Sequence, residues 1–444
     1  MSEQVVKKGY LSKQSGIIKS WKKNYFVIKD NRLYYYTKQD GKEKGSFDIQ
    51  QAQVGSIHPD KKHFTFKVDF PGIRSFLLAA NSKSEAEEWI NAMKSGSKPQ
   101  AKTSPAPQQK KVSIDDFDFI RVIGRGTSGK VQLVRCKFDN QLYAMKSMSK
   151  RLLAEYEQVQ QTLKEKEVLL KAKHPFLVCA HYTFQTETKI FMILDYVPGG
   201  ELFNRLKEEG KFNESRAKLY AAEILLGLGH LHSLGILYRD LKPENVLVDA
   251  KGHIKITDFG LVKTNMNSKD ATTTTFCGTA EYLAPEMLQQ QPYTKTVDWW
   301  CFGVLLYEMI TGLPPFFDEN TNRLYRSILY NPVNYPQFVS ENAKDLIEKL
   351  LCKDPNKRIG AIDDVNEIKR HPFFGDLDFD KVYNKQYKPE WIPQIKSETD
   401  TSNFEPEYTR EEAMVSLEDE SLIDNTTQSA FVNFTCQQDN AFDY

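Results

Sequence analysis

The stretch FIRVIGRGTSGKVQLV, residues 119–134, decides how the larger part of this chain folds. Gly124, Gly126 and Gly129 stand in a G-x-G-x-x-G spacing, with Val131 two positions beyond. Glycines let backbone N–H groups come close to phosphate oxygens. The same spacing also opens dinucleotide-binding units, but there a helix follows the last glycine. Here KVQLVRC, residues 130–136, is β-branched and alternating, so it reads as a strand. The glycines therefore sit in a hairpin, and the surrounding fold is not a Rossmann unit.

Working outward, LYAMKSM (142–148) puts Lys146 on the next strand. TLKEKEVLLKAKHPFL (162–177) is helical and offers Glu165 and Glu167 as partners for that lysine. Two positions apart on a helix they point in different directions, so at most one can face it. YRDLKPENVLV (238–248) gathers Asp240, Lys242 and Asn245, ITDFG (256–260) adds Asp258, and Ala284-Pro285-Glu286 closes the run. Phosphoryl transfer needs this set: a carboxylate to orient a hydroxyl, cations to neutralise phosphate, and oxygen ligands for Mg²⁺. Taken singly each residue has an ordinary explanation, as turn former, surface charge or hairpin glycine. Six elements in fixed order form the signature of protein kinases.

With 444 residues, 40% hydrophobic and 27% charged, the chain has room for two globular domains and a tail. No run of 18 or more apolar residues occurs and no charged-then-apolar leader follows Met1, so a cytoplasmic protein is expected. The six cysteines are scattered without a CxxC pair, against metal ligation and a disulfide framework. The net charge of +1 hides an asymmetry. Residues 1–98 carry 18 Lys+Arg against 10 Asp+Glu, or +8, while residues 391–444 carry 2 against 12, or −10. A basic front end suits an anionic surface and an acidic tail a solvated arm.

In the first segment, GYLSKQ, WKKNYFVI, RLYYYTK, FTFKVD and SFLLAA are short aromatic and β-branched runs between turn residues. SKSEAEEWINAM then changes period: Ser84 is expected to cap a helix whose Ala86, Trp89, Ile90 and Met93 share one face. About seven strands closed by one helix make a small plugged barrel. Residues 98–116, KPQAKTSPAPQQKKVSIDD, read as a linker. Beyond the long α/β region, YKPEWIPQIKSETDTSNFEPEY is expected to lie extended over another domain, and the aromatic tip SAFVNFTCQQDNAFDY to dock.

Over nearly its full length the chain resembles the protein kinase B (Akt, RAC) family of AGC serine/threonine kinases. The resemblance implies a multidomain architecture: a pleckstrin homology (PH) β-barrel capped by a C-terminal helix at 1–97, a linker at 98–116, a bilobal α+β kinase at 117–374, and an AGC C-terminal extension with a hydrophobic motif at 375–444. It also implies ATP and Mg²⁺. Lys146 is similar to the strand lysine on the α- and β-phosphates, and Glu165, nine residues before His174 of HPFL, to its helix partner. Asp240 resembles the catalytic aspartate, Lys242 the lysine near the γ-phosphate, and Asn245 and Asp258 the metal ligands. Gly124, Gly126, Gly129 and Val131 would cover the nucleotide. Leu194 would be the gatekeeper, the Asp195–Val197 backbone the adenine contact, Glu201 the ribose contact, and Phe404 an aromatic laid over the site. LKPEN implies Ser/Thr substrates, and Glu201 with Glu244 implies R-x-R-x-x-S/T sites. Lys13, Lys22, Lys23 and Arg74 would gather a 3-phosphorylated phosphoinositide, bringing the protein peripherally to the plasma membrane.

The run KDATTTTFCGTAEYLAPE (269–286) falls in the loop where such kinases are switched. Thr275, immediately before FCGT, matches the phosphorylated position, with Arg239 and Lys263 as phosphate readers and Thr272, Thr273 and Thr274 as solvated spacer. Thr279 is assigned structural hydrogen bonds near Asp240. In FVNFTC, Phe431 and Phe434 would anchor the hydrophobic motif and Thr435 accept phosphate. Upstream kinases of the PDK type for Thr275 and the TOR-complex type for Thr435 are implied, and no nucleic acid; a monomer is expected. The chain departs from the family at four places: Ala280 for a usual Pro, Gln161 for a phosphate-reading His, Ser416 without a following Pro at the turn motif, and Asn24 for a lipid-site Arg. Two other readings remain: a lipid-recruited adaptor with a catalytically inactive kinase fold, and a barrel that binds only protein. Loss of Lys146 or Asp258 would have favoured the adaptor; both are present.

Overall fold

Trp89 is 1% exposed and sets the order of the first unit, because eight strands and a helix arrange themselves around it. The structure, a computed structural model, describes residues 5–15, 20–29, 32–39, 41–49, 52–55, 57–60, 63–70, 74–95, 112–126, 129–266, 271–414 and 425–437. Contacts divide the chain into two compact units, residues 1–110 and 111–444. In the first, β1 (Val5–Ser15), β2 (Ser20–Lys29), β3 (Arg32–Tyr36), β4 (Glu43–Asp48), β5 (Gln53–Val54), β6 (His58–Asp60), β7 (His63–Phe70) and β8 (Arg74–Ala80) precede α1 (Lys83–Ser95). They pair antiparallel in the order β4-β3-β2-β1-β8-β7-β5, with β6 also on β7.

Alternation along the strands sends Leu11, Phe26, Ile28, Leu33, Phe66, Val68 and Leu78 inward. The expected helix face, Ala86, Trp89, Ile90 and Met93, is buried against them. Its cap is a correction to the expectation: Ser82, not Ser84, accepts the Glu85 N–H at 3.1 Å, and Glu85 Oε2 accepts the Asn81 N–H at 2.9 Å. The helix starts at Lys83, so Ser84 is already inside its first turn.

The second unit opens with β9 (Phe117–Gly126), β10 (Gly129–Cys136), β11 (Leu142–Ser149), α2 (Lys150–Glu155), α3 (Val159–Lys171), β12 (Ala180–Gln185) and β13 (Lys189–Asp195). A second lobe follows with α4 (Leu202–Glu209), α5 (Glu214–Ser233), the hairpin β14 (Val246–Val248) and β15 (Ile254–Ile256), α6 (Pro285–Leu288), α7 (Thr296–Thr311), α8 (Thr321–Tyr330), α9 (Glu341–Leu350), α10 (Asp364–Lys369) and α11 (Phe379–Tyr383). α12 (Pro406–Thr409), α13 (Asn425–Ala430) and β16 (Cys436–Gln437) belong to the tail. The small lobe is a six-stranded sheet in the order β16-β12-β13-β11-β10-β9. α7 is buried from Thr296 to Ile310, so it is the apolar post of the large lobe. One continuous core runs from Leu169 and Leu194 in the small lobe into α5 and α7.

As expected, the tail crosses both lobes extended. Tyr196 donates to the Asp400 carbonyl at 3.0 Å, Asn403 to the Pro198 carbonyl at 3.0 Å, and Arg121 to the Thr409 carbonyl at 3.1 Å. Its end then adds β16 to the sheet, pairing with β12. Among the described residues no helix is long and apolar enough to cross a membrane.

Candidate active site

The glycine hairpin forms from β9 and β10, with Val131 opposite Gly124. Its three glycines have different reasons to be there. A side chain at Gly126 would meet open space, and one at Gly124 would make ordinary contact with Val131 at 3.7 Å. A Cβ at Gly129 would lie 1.8 Å from the Ser147 carbonyl oxygen, so packing against β11 forbids any side chain there. Consistently, Gly124, Gly126 and Val131 line the cleft below, while Gly129 does not.

Lys146 reaches across from β11 and donates to Glu165 Oε1 on α3 at 2.6 Å. The choice between the two glutamates follows helix geometry: Glu165 faces the cleft and is buried, whereas Glu167 is exposed and pairs with Lys171. Burial alone would favour neutral Lys146, but the charges of Glu165 and Asp258 outweigh it and hold the amine above its usual range.

In the large lobe, Asn245 donates from Nδ2 to both the carbonyl and Oδ2 of Asp240, each at 2.8 Å. Lys242 Nζ lies 3.5 Å from Asp240 Oδ2 and donates to Thr279 Oγ1 at 3.0 Å. Thr279 is 3.4 Å from Asp240 Oδ1, in the place expected for it. Burial raises the Asp240 pKa most; Lys242 and Asn245 oppose it, and Asp258 adds to it. Asp258 accepts the Gly260 N–H at 3.0 Å and is otherwise exposed. Arg239 and Asp258 both have positive φ, +70° and +55°, a strained backbone of the kind concentrated at functional sites. A buried carboxylate holds the loop: Asp298 accepts the N–H groups of Tyr238 and Arg239 at 2.9 and 2.7 Å, and His232 bridges Asp298 and Asp364.

Between the lobes lies a cleft of about 340 Å³, lined by Lys146, Glu165, Leu194, Asp195, Val197, Glu201, Asn245 and Asp258, with Phe404 from the tail. Leu194 and Val197 give it an apolar end. The Asp195 side chain turns away from it, to His181 at 2.7 Å and Lys255 at 2.8 Å, leaving the backbone of this segment to face a ligand. Phe404 stacks on Tyr196 at 6.1 Å. An apolar slot, an open glycine edge and a cationic amine at the far end fit adenosine followed by phosphates. The oxygens of Asn245 and Asp258 suit a hard divalent cation, which keeps phosphate oxygens as further ligands. Burial, with Glu244 and Glu405, pushes the Glu201 carboxyl up to about 7, against Lys242.

In the loop after Asp258, Thr275 is exposed, but Thr273 is not the solvated spacer expected of it. It is buried at 7% and its backbone exchanges hydrogen bonds with Tyr293. Tyr293, which no sequence motif marks, donates to the Thr275 carbonyl at 2.6 Å and accepts from Arg239 Nη1 at 3.0 Å. Arg239 is thereby one phenol away from the Thr275 backbone. Lys263 exchanges backbone hydrogen bonds with Leu237, two residues before Arg239. Gln161 lies beside Gly260, where a Cβ would be 3.8 Å from its amide nitrogen. Phe431 and Phe434 are fully buried against the small lobe and Thr435 is exposed. Ser416 lies outside the described residues.

In the first unit Lys13 and Lys22 are direct partners across β1 and β2. They share a sheet face with Leu11, Asn24 and Phe26, at the end of the inner layer. Lys23 does not join them: strand parity puts it on the outer face, its Nζ 5.1 Å from the Tyr10 ring centroid. Arg74 starts β8 opposite Phe70, and its side chain is outside the described residues. Asn24 is 3% exposed and donates to the Tyr36 carbonyl at 3.1 Å, so this departure from the family pattern serves the barrel wall.

Comparison with known proteins agrees with this architecture. The PH domain family matches residues 5–98, the protein kinase domain family 117–374, and the protein kinase C terminal domain family 395–436. A RAC family serine/threonine-protein kinase homolog of Dictyostelium discoideum is 42% identical over 430 residues, covering 96% of each chain. The serine/threonine-protein kinase gad8 of Schizosaccharomyces pombe is 47% identical over 336 residues, 76% of this chain and 59% of its own. Sgk1 of Gallus gallus is 50% identical over 297 residues, 67% of this chain and 68% of its own. The chain belongs to the RAC (protein kinase B, Akt) family of AGC serine/threonine protein kinases. It is an ATP-dependent, divalent-metal-using enzyme that acts on proteins and carries a PH domain.

Proposed function

We propose that this kinase transfers the γ-phosphate of ATP to Ser or Thr in R-x-R-x-x-S/T-like sites, with Mg²⁺ held by Asn245 and Asp258, in PI3-kinase signalling. Asp240 orients the substrate hydroxyl, and Lys242 and Lys146 neutralise phosphate charge. When bound, the metal supplies the charge that offsets the negative phosphate oxygens. Glu165 holds Lys146 in place, and the backbone of Asp195–Val197 with Glu201 orients the nucleoside. The 2.6 Å Lys146–Glu165 pair, on one cleft with Asn245 and Asp258, is the observation that supports this reading most strongly. Phosphorylation of Thr275 and Thr435 by upstream kinases turns the enzyme on, the first read by Arg239 and Lys263. Each phosphate adds roughly −1.5 to −2 charge and strong acceptors that pair with such cations. Recruitment to 3-phosphorylated phosphoinositides at the plasma membrane uses Lys13, Lys22 and Arg74, with Lys23 on the opposite face of the same hairpin.

An ATP-dependent peptide-array assay tests the reading, with the wild type set against Asp258→Ala. The wild type should label peptides with upstream arginines, and the folded variant should lose nearly all transfer. Wild-type labelling by the variant, or a preference for proline or acids beside the target, would sink the proposal.

A further inference from the structure

The segment that connects the two lobes begins at Asp195, and three groups hold its side chain. His181 on β12 reaches Asp195 Oδ1 from Nε2 at 2.7 Å, and Lys255 on β15 donates from Nζ to Oδ2 at 2.8 Å. The Cys179 N–H donates to the same Oδ2 at 3.1 Å, and the Asp195 N–H donates back to the Cys179 carbonyl at 3.1 Å. Burial works to raise the Asp195 pKa, but His181 and Lys255 outweigh it and bring it down to about 2. An ionised carboxylate only accepts, so Nε2 is the nitrogen of His181 that carries the proton. Burial likewise works against the charge of Lys255, and Asp195, the strongest of the acids opposing it, holds the amine above its usual range.

The two side chains come from different lobes. His181 belongs to the small-lobe sheet, its ring edge-on to that of Tyr143 at 5.0 Å, and Tyr143 is the partner of Asp195 across β11 and β13. Lys255 belongs to the large-lobe hairpin, three positions before Asp258. Its Nζ also donates to the Leu177 carbonyl at 3.2 Å, and the Ile256 backbone bonds to Phe176 and Val178, each at 2.9 Å. The strand that delivers Asp258 is thus fastened to the strand end whose backbone faces the apolar end of the cleft. We propose that Lys255 and His181 are positioning residues for nucleotide: by gripping the Asp195 carboxylate they hold the Asp195–Val197 backbone against adenine and tie it to β15. The proposal rests on the nucleotide reading of the cleft.

Asp195 lines the cleft, while neither His181 nor Lys255 does, so each acts on a bound base through Asp195. An isolated exposed ion pair would be too weak for this role. Here the side chains of Asp195, His181 and Lys255 are only 20%, 21% and 19% exposed, and one carboxylate is shared by three donors. Removing one partner leaves a partly buried charge short of a hydrogen bond. With Lys255 neutralised, the carboxylate keeps its charge but loses its hold on the large lobe, and the backbone it fixes gains freedom. Hydrogen bonds to the edge of a base depend steeply on angle, so they suffer more than contacts to phosphate charge.

The test uses the full chain and two nucleotides, ATP and purine riboside triphosphate, which lacks the 6-amino group that the backbone would read. Binding is measured by titration calorimetry, beside steady-state kinetics. Lys255→Met, which keeps the length and removes the charge, should raise Kd and KM for ATP about fivefold. Its kcat and its KM for the peptide should stay near wild type. Its Kd for the analogue should change little, so the preference for ATP over the analogue should shrink by the same factor. His181→Phe, which keeps a ring and removes the donor, should show the same pattern more weakly, and Lys255→Arg should keep most of the wild-type preference. A preference in Lys255→Met equal to wild type, or an equal loss for both nucleotides with a lower unfolding temperature, would overturn the proposal while leaving the kinase reading intact. Failure of the wild type to bind ATP more tightly than the analogue would strike the adenine reading of this backbone itself.

Discussion

The C-terminal tail grips the small lobe twice, and the two grips use different physics. On the α3 side, Phe431 and Phe434 are buried at 0% exposure, their rings packed edge-on at 5.9 Å. Thr183 and Gln185 tie down the adjoining carbonyls of Phe434 and Phe431, each at 2.6 Å. Lys150 and Lys166 lie over the two rings with their ammonium groups 5.8 and 5.0 Å from the centroids. On the glycine-hairpin side the grip is polar: the carboxylate of Glu411 lies between two cations, and Arg121 donates to the Thr409 carbonyl beside it. Burial does not depend on salt and hardly on pH; surface ion pairs depend on both. The helix that carries Glu165 is therefore held by an apolar grip that salt does not screen, and the glycine hairpin by an ionic one that it does.

The largest expected effect comes from removing the apolar grip. Phe434→Ala deletes a fully buried ring and should cost about 3–5 kcal/mol of local stability. The tail end should undock, α3 should lose its support, and activity should fall steeply at every ionic strength. The measurements are hydrogen exchange over α3 and β12 together with kinase activity across a salt series. Protection equal to wild type, or a loss that salt modulates, would break the contrast between the grips.

Next comes a charged contact that is buried, which should respond to pH and not to salt. His232 lies between Asp298 and Asp364, and Asp298 carries the backbone of Tyr238 and Arg239. Burial works against its charge, but the two carboxylates win and raise its pKa from 6.5 to about 9. A raised pKa means that the stabilisation is complete below 6.5 and disappears as the pH climbs through 9. Its size is on the order of 3 kcal/mol. Calorimetry should show the wild type losing stability from pH 6.5 to 9.5 and His232→Gln nearly flat over that window. A wild-type curve as flat as the variant's would mean that the imidazole is neutral in the folded protein.

How much of this could be read beforehand depends on distance along the chain. Lys146, Asp240, Asn245 and Asp258 were legible because each stands in a short stretch whose order fixes its place. Glu165 over Glu167 was settled by comparing with the family, and the structure gives the physical reason in the direction of the helix face. Glu411 and Tyr293 were not legible: their partners lie 286 and 54 positions away in Arg125 and Arg239, and neither carries a local motif. Thr273 looked like its three neighbours, and only the strand-like bridge to Tyr293 sets it apart. Lys23 failed for a simpler reason: in a strand, one position of sequence is one change of face.

The third effect is a pH test of specificity. Glu201 is pushed up to about 7 because it is buried and close to Glu244 and Glu405. Its carboxylate is charged above pH 7 and neutral below. If it reads an upstream arginine, preference for Arg over a neutral residue should fall about tenfold between pH 8 and pH 6, the loss of a charge-assisted contact. Peptide pairs differing only at that position measure it. A preference constant across this range would assign arginine reading to other acids.

The smallest effect lies in the barrel, and it carries the logic of the ionic grip to a different anion. Lys13 and Lys22 are set opposite each other across β1 and β2, as Arg125 and Lys130 are across β9 and β10. In the kinase unit the tail's own carboxylate settles the repulsion between the cations. In the barrel the proposed anion is a phosphoinositide headgroup, added to the contacts the lysines already make. Each lysine near an anionic surface should contribute on the order of 1 kcal/mol, so Lys22→Ala should weaken vesicle binding about fivefold. Lys13→Ala with Lys22→Ala should weaken it further, and salt should erode whatever remains. Lys23→Ala is the control that parity supplies, since its side chain points to the outer face beside Tyr10. Sedimentation with vesicles containing a 3-phosphorylated phosphoinositide reads all three. A loss for Lys23→Ala as large as for Lys22→Ala would mean that the headgroup is held by the outer face of the hairpin, and the analogy between the two cation pairs would end there.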